Sequence, residues 1–343
     1  MSETLKIVIP MAGWGKRMRP HTWSKPKPLV GVAGRTALDY LLDMFKTVPN
    51  PRRTEYVFIV EPYLGEIQIP DFIAENYPDR KVHYVVQEEK KGQSHALYLA
   101  RQYLSGPMIM CFSDTLLETD FSFLDREKSE CVAWVKEVED PRRFGVAEVG
   151  ADGWVRRLVE KPQTTQNKLA VVGCYYFKSA ENLMAAIEEQ MQRNVQIKNE
   201  FFLVDALNIM LEHHALMRVE RTETWLDTGT IEATLDTNRY LLNKARGVQI
   251  ENTKRKKVKI IEPVFIHESA EVEDSVIGPY VSIGAGCKIT GSHIEDSIIE
   301  AECEIKDAAL KGSMVGRQTK VRGSGAKEPF QLNVGDNSSV MFG

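Results

Sequence analysis

Between Ile266 and Val321 an apolar residue recurs at every fifth or sixth position, a period that few folds produce. The series is Ile266, Val272, Ile277, Ile283, Ile289, Ile294, Ile299, Ile305, Leu310, Val315 and Val321. A helix repeats every 3.6 residues and a strand every two, so neither gives this spacing. A stack of coils does, with each apolar residue resting on its equivalent one coil along. Four places after most of them stands a small or medium residue, among them Ala270, Val276, Val281, Cys287, Ile298, Cys303, Ala309 and Thr319. His293 breaks that pattern and is expected at an inward position, packed or partly exposed at a corner. Leu332 to Phe342 is expected to add a last coil.

The chain has 343 residues, which leaves room for a sizeable α/β domain ahead of the repeat. Strands are predicted at Leu5 to Ile9, Tyr56 to Val60, Lys81 to Val86 and Pro107 to Phe112. Helices are predicted at Ala37 to Thr47, Ser179 to Arg193, Phe201 to His214 and Ile231 to Lys244. Such alternation makes a mostly parallel sheet with helices on its faces, and ligands then bind beyond the carboxyl ends of the strands. From Cys131 to Phe177 short alternating segments with an Asp152-Gly153 hairpin signal predict an antiparallel flap beside that sheet.

A net charge of −4 gives no general attraction to nucleic acid. No apolar run approaches the roughly 18 residues of a membrane span, and MSETLKIVIP has no leader pattern, so a cytoplasmic protein without membrane partners is expected. Five cysteines without C-x-x-C spacing read as buried free thiols rather than disulfides or a zinc site.

The first strand runs into MAGWGKRMRPHTWSKPKP, a glycine-bearing loop in which four basic residues, Lys16, Arg17, Arg19 and Lys25, precede Lys27. Gly13 and Gly15 allow the backbone a sharp turn and close approach to an anion, and Arg17 offers a planar set of donors. Lys27 stands between Pro26 and Pro28, whose fixed φ angles restrain it. The loop reads as a phosphate grip, the alternative being an ordinary turn with solvated basic residues. No Walker A lysine followed by Ser or Thr is present, and Met18 stands where a dinucleotide fingerprint has its third glycine. Downstream, Gln87 offers an amide to a base edge and Gly92 a close approach. Asp114 and Asp227 each follow an apolar strand and are either helix or turn caps or ligands for a hard cation. Glu160-Lys161-Pro162 is a common surface sequence on its own.

In this order the segments resemble the signatures of the sugar-1-phosphate nucleotidylyltransferases: Gly13, Gly15, Arg17, Met18, Pro20, Lys27, Pro28 and Leu29, then Gln87 with Gly92, Asp114, Phe144-Gly145 with Glu160-Lys161-Pro162, and Trp225 with Asp227. Ala12 stands where many members have glycine, Lys16 where they have Thr or Ser, and Ser113 where they have glycine. The repeat resembles the hexapeptide left-handed β-helix of longer thymidylyltransferases. The resemblance implies a Rossmann-like α/β domain over 1–244, a linker over 245–262 and a β-helix over 263–343. It implies that Ala12, Gly13, Gly15, Arg17, Lys27, Gln87 and Gly92 bind a nucleoside triphosphate. Gly145, Glu160, Lys161 and Trp225 then hold a sugar 1-phosphate, and Asp114 and Asp227 hold Mg²⁺. The implied reaction is in-line attack of the sugar phosphate on the α-phosphorus, with Arg17, Lys27 and Lys161 neutralising charge. Glucose 1-phosphate with dTTP or UTP is the expected pair, in a homo-oligomer formed through the β-helix. The alternatives are guanylyl transfer to mannose 1-phosphate, a silent nucleotide-sugar-binding regulator, and acyl transfer by the β-helix.

Overall fold

The structure, a computed structural model, describes residues 4–245, 254–325 and 328–342. Residues 246–253 of the expected linker lie outside the described residues. The chain forms two compact units, one of Met1–Gly13 with Leu41–Trp225 and one of Trp14–Tyr40 with Leu226–Gly343. This division cuts the basic loop after Gly13.

Among the described residues the first unit holds one nine-stranded mixed sheet. One end of it is parallel: Met108–Cys111, Lys6–Pro10, Glu55–Val60 and Lys81–Val86 lie side by side in that order, the last at the edge. Lys6–Pro10, Glu55–Val60 and Met108–Cys111 are buried almost throughout, as parallel strands beneath helices are, whereas Lys81–Val86 at the edge of the sheet is only half-buried. The alternating segments continue the same sheet instead of standing apart from it. Leu169–Phe177 pairs antiparallel with Met108–Cys111, with Cys131–Glu137 and with Gly145–Val149. A bulge between Val171 and Tyr175 lets one strand serve these neighbours. Gly173 sits there at φ +81°, and a Cβ at that position would lie 2.4 Å from the Phe112 ring.

The helices Gln93–Leu99, Ala180–Gln192 and Leu203–Glu212 bury Ala96, Leu97, Leu183, Ile187, Ala206 and Leu207 in one core with the sheet. Ser179 caps the second of them by accepting the Asn182 amide. A further helix, Leu64–Asn76, has no sequence expectation because Pro70 lies inside it. All five cysteines are buried and unpaired.

In the second unit short strands form three parallel ladders, six-, four- and five-stranded among the described residues. This is the arrangement of a left-handed β-helix. All eleven repeat residues lie in one core. Asp274, Asp296 and Asp307 turn corners with positive φ, which a short polar side chain tolerates. Buried serines bridge coils: Ser275 Oγ accepts the Ser292 amide and Ser292 Oγ the Ala308 amide. Ser339–Met341 pairs with Lys320–Arg322, so the last stretch does add a coil.

His293 is the correction. It is exposed, because strand side chains alternate and Ile294 takes the inward place. Trp14–Tyr40 packs with this unit: Met18, Val30, Ile231, Leu235, Ile298 and Met314 form one apolar cluster.

Candidate functional site

Parallel strands bring their carboxyl ends to one edge of the sheet, and in the first unit that edge carries Ala12 and Gly13, Glu61, Gln87 and Asp114. Gln87 is buried, and its amide nitrogen donates to the Gly92 carbonyl at 3.1 Å and lies 3.3 Å from His95 Nδ1. With its donor side engaged, the amide oxygen is what Gln87 has left to offer a ligand. Gly92, at φ +91°, opens the Gln93–Leu99 helix against the Phe201 backbone. A Cβ there would lie 2.4 Å from the Phe201 carbonyl oxygen. Gly92→Ala is therefore expected to cost about 1–3 kcal/mol from backbone strain alone, read as a lower urea midpoint.

Sequence reasoning missed several residues on or near this edge. Glu61 is buried, and burial pushes its carboxyl above the ordinary range although Lys90 opposes this. Lys90, held below its ordinary value by burial, donates to the Gln87 carbonyl at 3.1 Å. Gln93 Oε1 and Ser94 Oγ are buried without protein partners. Only the direct succession of Glu61 on an apolar strand could have signalled it.

The four residues expected around a sugar phosphate converge. Gly145 and Glu160 are partners in adjacent strands, and Glu160 Oε2 lies 3.3 Å from where a Gly145 Cβ would stand. The Lys161 amide donates to the Phe144 carbonyl at 3.0 Å. The Phe144 ring meets Trp225 edge-on at 4.9 Å between centroids. Trp225 Nε1 is buried without a partner, an aimed donor that packing alone leaves unsatisfied. Lys161 holds φ +46°, strained for a side chain, while its ammonium is exposed 3.7 Å from Glu160. Asp205, on the first turn of Leu203–Glu212, has a buried oxygen without a partner and a carboxyl raised by burial. Its neighbour Val204 lies 3.8 Å from the Gly145 Cβ position.

The second unit carries the remainder. Gly15 at φ +57° starts the tight turn Lys16–Met18, and a Cβ there would come within 2.9 Å of the Thr22 methyl. Arg17 on this turn is exposed, as is Lys16; Lys27, on the turn Lys27–Leu29, is half-buried. Lys25 does not belong to a phosphate grip. It is buried and ion-paired with Glu300 and Asp336, so its charge is spent within the protein.

Beside that pair His21 is buried with both ring nitrogens unpartnered. Burial holds its pKa below 6.5; Lys25 acts in the same direction, and Glu300 and Asp336 oppose it. The folded protein keeps this imidazole neutral, so the unfolded chain binds the extra proton below about pH 6.5 and the associated stability is lost as pH falls. The melting temperature is expected to drop between about pH 7 and 5.5, and less steeply in His21→Gln. Asp336, lowered from 3.8, titrates outside that window.

Asp227 Oδ1 accepts the Gly229 amide at 2.6 Å; it belongs to the second unit and Asp114 to the first. Among the described residues no set of three His, Cys, Asp or Glu side chains could hold a metal. Each carboxylate by itself is a hard oxygen donor of the kind Mg²⁺ takes, and Mg²⁺ rarely takes an all-protein shell. Ser113 lacks a positive φ, so its position does not require glycine. No described helix is long and apolar enough to cross a membrane.

A family model described as nucleotidyl transferase matches residues 6–244, and one described as GMPPB C-terminal domain matches 260–326. The chain is 29% identical to a glucose-1-phosphate thymidylyltransferase of Streptomyces antibioticus over 98% of its length and 99% of that protein. It is 29% identical to a bifunctional protein GlmU of Methanococcus vannielii, covering 92% of this chain and 75% of that one. Among solved structures, a putative glucose-1-phosphate thymidylyltransferase from Bacillus anthracis superposes with a TM-score of 0.61 at 20% identity, over 73% of this chain and 98% of that one, a likeness of fold. With the first match spanning the sheet and its motif-bearing loops, the chain belongs to the nucleotidyl transferase family, among its sugar-1-phosphate nucleotidylyltransferases.

Proposed function

We propose that the protein joins a nucleoside triphosphate to a sugar 1-phosphate and releases pyrophosphate, with glucose 1-phosphate and dTTP or UTP as the preferred pair. The observation that carries this reading is the convergence of Gly145, Glu160 and Lys161, from the two arms of one hairpin, with the sequence-distant Trp225 around Phe144. An exposed ammonium beside a carboxylate and an unpartnered indole N–H suit a phosphorylated sugar, whose hydroxyls both donate and accept. At the other substrate, the Gln87 oxygen suits a base with a ring N–H on its pairing edge. Thymine and uracil present one at N3; guanine, which also has one, is larger by a ring.

In this mechanism Arg17 and Lys27 bind the triphosphate, Lys161 holds the attacking phosphate, and Glu160 and Trp225 orient the sugar. The work is positioning and charge neutralisation in an in-line displacement. Asp114 and Asp227 would hold Mg²⁺, which supplies further neutralisation of phosphate oxygens when bound. A cytoplasmic homo-oligomer formed through the β-helix belongs to the same reading, supported by exposed Met341 and Phe342 on its last coil.

The test is pyrophosphate release across a matrix of four sugar 1-phosphates and five nucleoside triphosphates. The expected result is highest release with glucose 1-phosphate and a pyrimidine triphosphate, dTTP and UTP differing little because one methyl separates them. Preference for mannose 1-phosphate with GTP would replace the substrate pair and keep the reaction.

A further inference from the structure

We propose that two buried carboxylates of the β-helix, Glu300 and Asp336, position the triphosphate-binding loop by clamping both ends of the turn that carries Lys27. The inference rests on the reading that Arg17 and Lys27 bind triphosphate, and it gives the β-helix a part in the transfer reaction.

Glu300 and Asp336 both lie within the β-helix repeat region, the first after the strand Ile298–Ile299 and the second in the last described coil. Lys25, on the near side of the Lys27 turn, is ion-paired with Glu300 and lies 3.1 Å from Asp336. On the far side the Gly31 amide donates to the other Glu300 oxygen at 2.9 Å. One carboxylate thus ties residues 25 and 31, and Lys27 lies between them. Asp336 secures the approach by accepting from Ser24 Oγ at 2.7 Å. Arg317 adds its amide to Asp336 at 2.8 Å and a guanidinium contact at 3.5 Å, so two cations face two anions.

The three central side chains are only 1% (Lys25), 6% (Glu300) and 4% (Asp336) exposed. Buried charges persist only where geometry and hydrogen bonds compensate them, which makes this cluster intolerant of displacement. A second clamp acts a few residues on: Asn238 Oδ1 accepts the Ala33 amide at 2.9 Å and the Ser282 hydroxyl at 2.6 Å. A phosphate-binding lysine on a free loop would lose its ordering on each turnover, whereas a clamped turn keeps it preset.

Steady-state kinetics on the full chain test this, with Arg17→Ala as reference. Lys25→Met is expected to raise KM for the nucleoside triphosphate about 10-fold or lower kcat by a similar factor, with KM for sugar 1-phosphate changed less than about 2-fold. Lys25→Arg, which keeps the charge, should restore most of the loss. If Lys25→Met does not fold, Asp336→Asn decides on the same readout, because it keeps its shape and the Ser24 bond while losing the charge. A lower melting temperature with unchanged kcat and both KM values would reduce the cluster to a structural one and overturn the proposal. An Arg17→Ala enzyme with unaltered triphosphate kinetics would instead refute the underlying reading, and this inference with it.

Discussion

Replacing Arg17 with alanine is expected to lower turnover by roughly 10²-fold or more, the loss seen when one preorganised donor to a developing oxyanion is removed. Three features make this side chain suitable. It is exposed on a tight turn, Lys16–Met18, whose start is fixed by Gly15 in a left-handed conformation. The turn is anchored by Met18, fully buried in an apolar cluster with Ile231 and Leu235, so the guanidinium stands on a rigid base. Its charge is permanent, and its planar fork matches phosphate oxygens. The diagnostic is the division of the effect. A fall in kcat with KM nearly constant marks a contact made in the transition state, whereas a rise in KM alone would mean uniform binding and remove Arg17 from the chemistry.

Asp227→Asn is expected to cost about 10²–10³-fold in turnover, the equivalent of the several kcal/mol that a hard cation contributes to charge stabilisation in phosphoryl transfer. The substitution is informative because the local turn survives it. An asparagine oxygen can still accept the Gly229 amide that Asp227 Oδ1 accepts now, and the Thr237 hydroxyl still donates to the backbone carbonyl of residue 227. What disappears is one negative charge. The Mg²⁺ concentration for half-maximal activity should rise as well. Turnover equal to the wild type at low Mg²⁺ would make Asp227 a turn residue only.

How much of this was legible beforehand depended on how local each cause was. The β-helix could be read because its period is set by stacking, which repeats one short rule coil after coil; the eleven repeat residues from Ile266 to Val321 all reach the core. His293 was misplaced because counting every fourth position ignores the alternation of side chains within each short strand. The parallel strands were legible as apolar runs, while Leu64–Asn76 was hidden by Pro70. At the site, Gly92 and Gly145 could both be singled out from sequence, but only for Gly145 was the neighbour also legible. Gly145 meets Glu160 across the hairpin that Asp152-Gly153 signals, but Gly92 meets the Phe201 backbone across a chain separation that no spacing rule covers.

Lys25 shows the same limit from the other side. Within the loop it looks like one of four equivalent basic residues, and only the coil that brings up Glu300 and Asp336 sets it apart. Unpartnered atoms such as Trp225 Nε1 and Asp205 Oδ2 are likewise products of packing. They become visible only once every nearby donor and acceptor has been counted.

The most direct test is ³¹P NMR of the full chain with glucose 1-phosphate, dTTP and Mg²⁺. Joint disappearance of the sugar monophosphate and the triphosphate, with equal formation of a diphosphate diester and pyrophosphate, is the predicted result. Unchanged spectra with every sugar 1-phosphate and triphosphate tried, from a folded protein that still binds nucleotide sugar, would contradict it and identify a binding protein that has kept the motifs without the reaction.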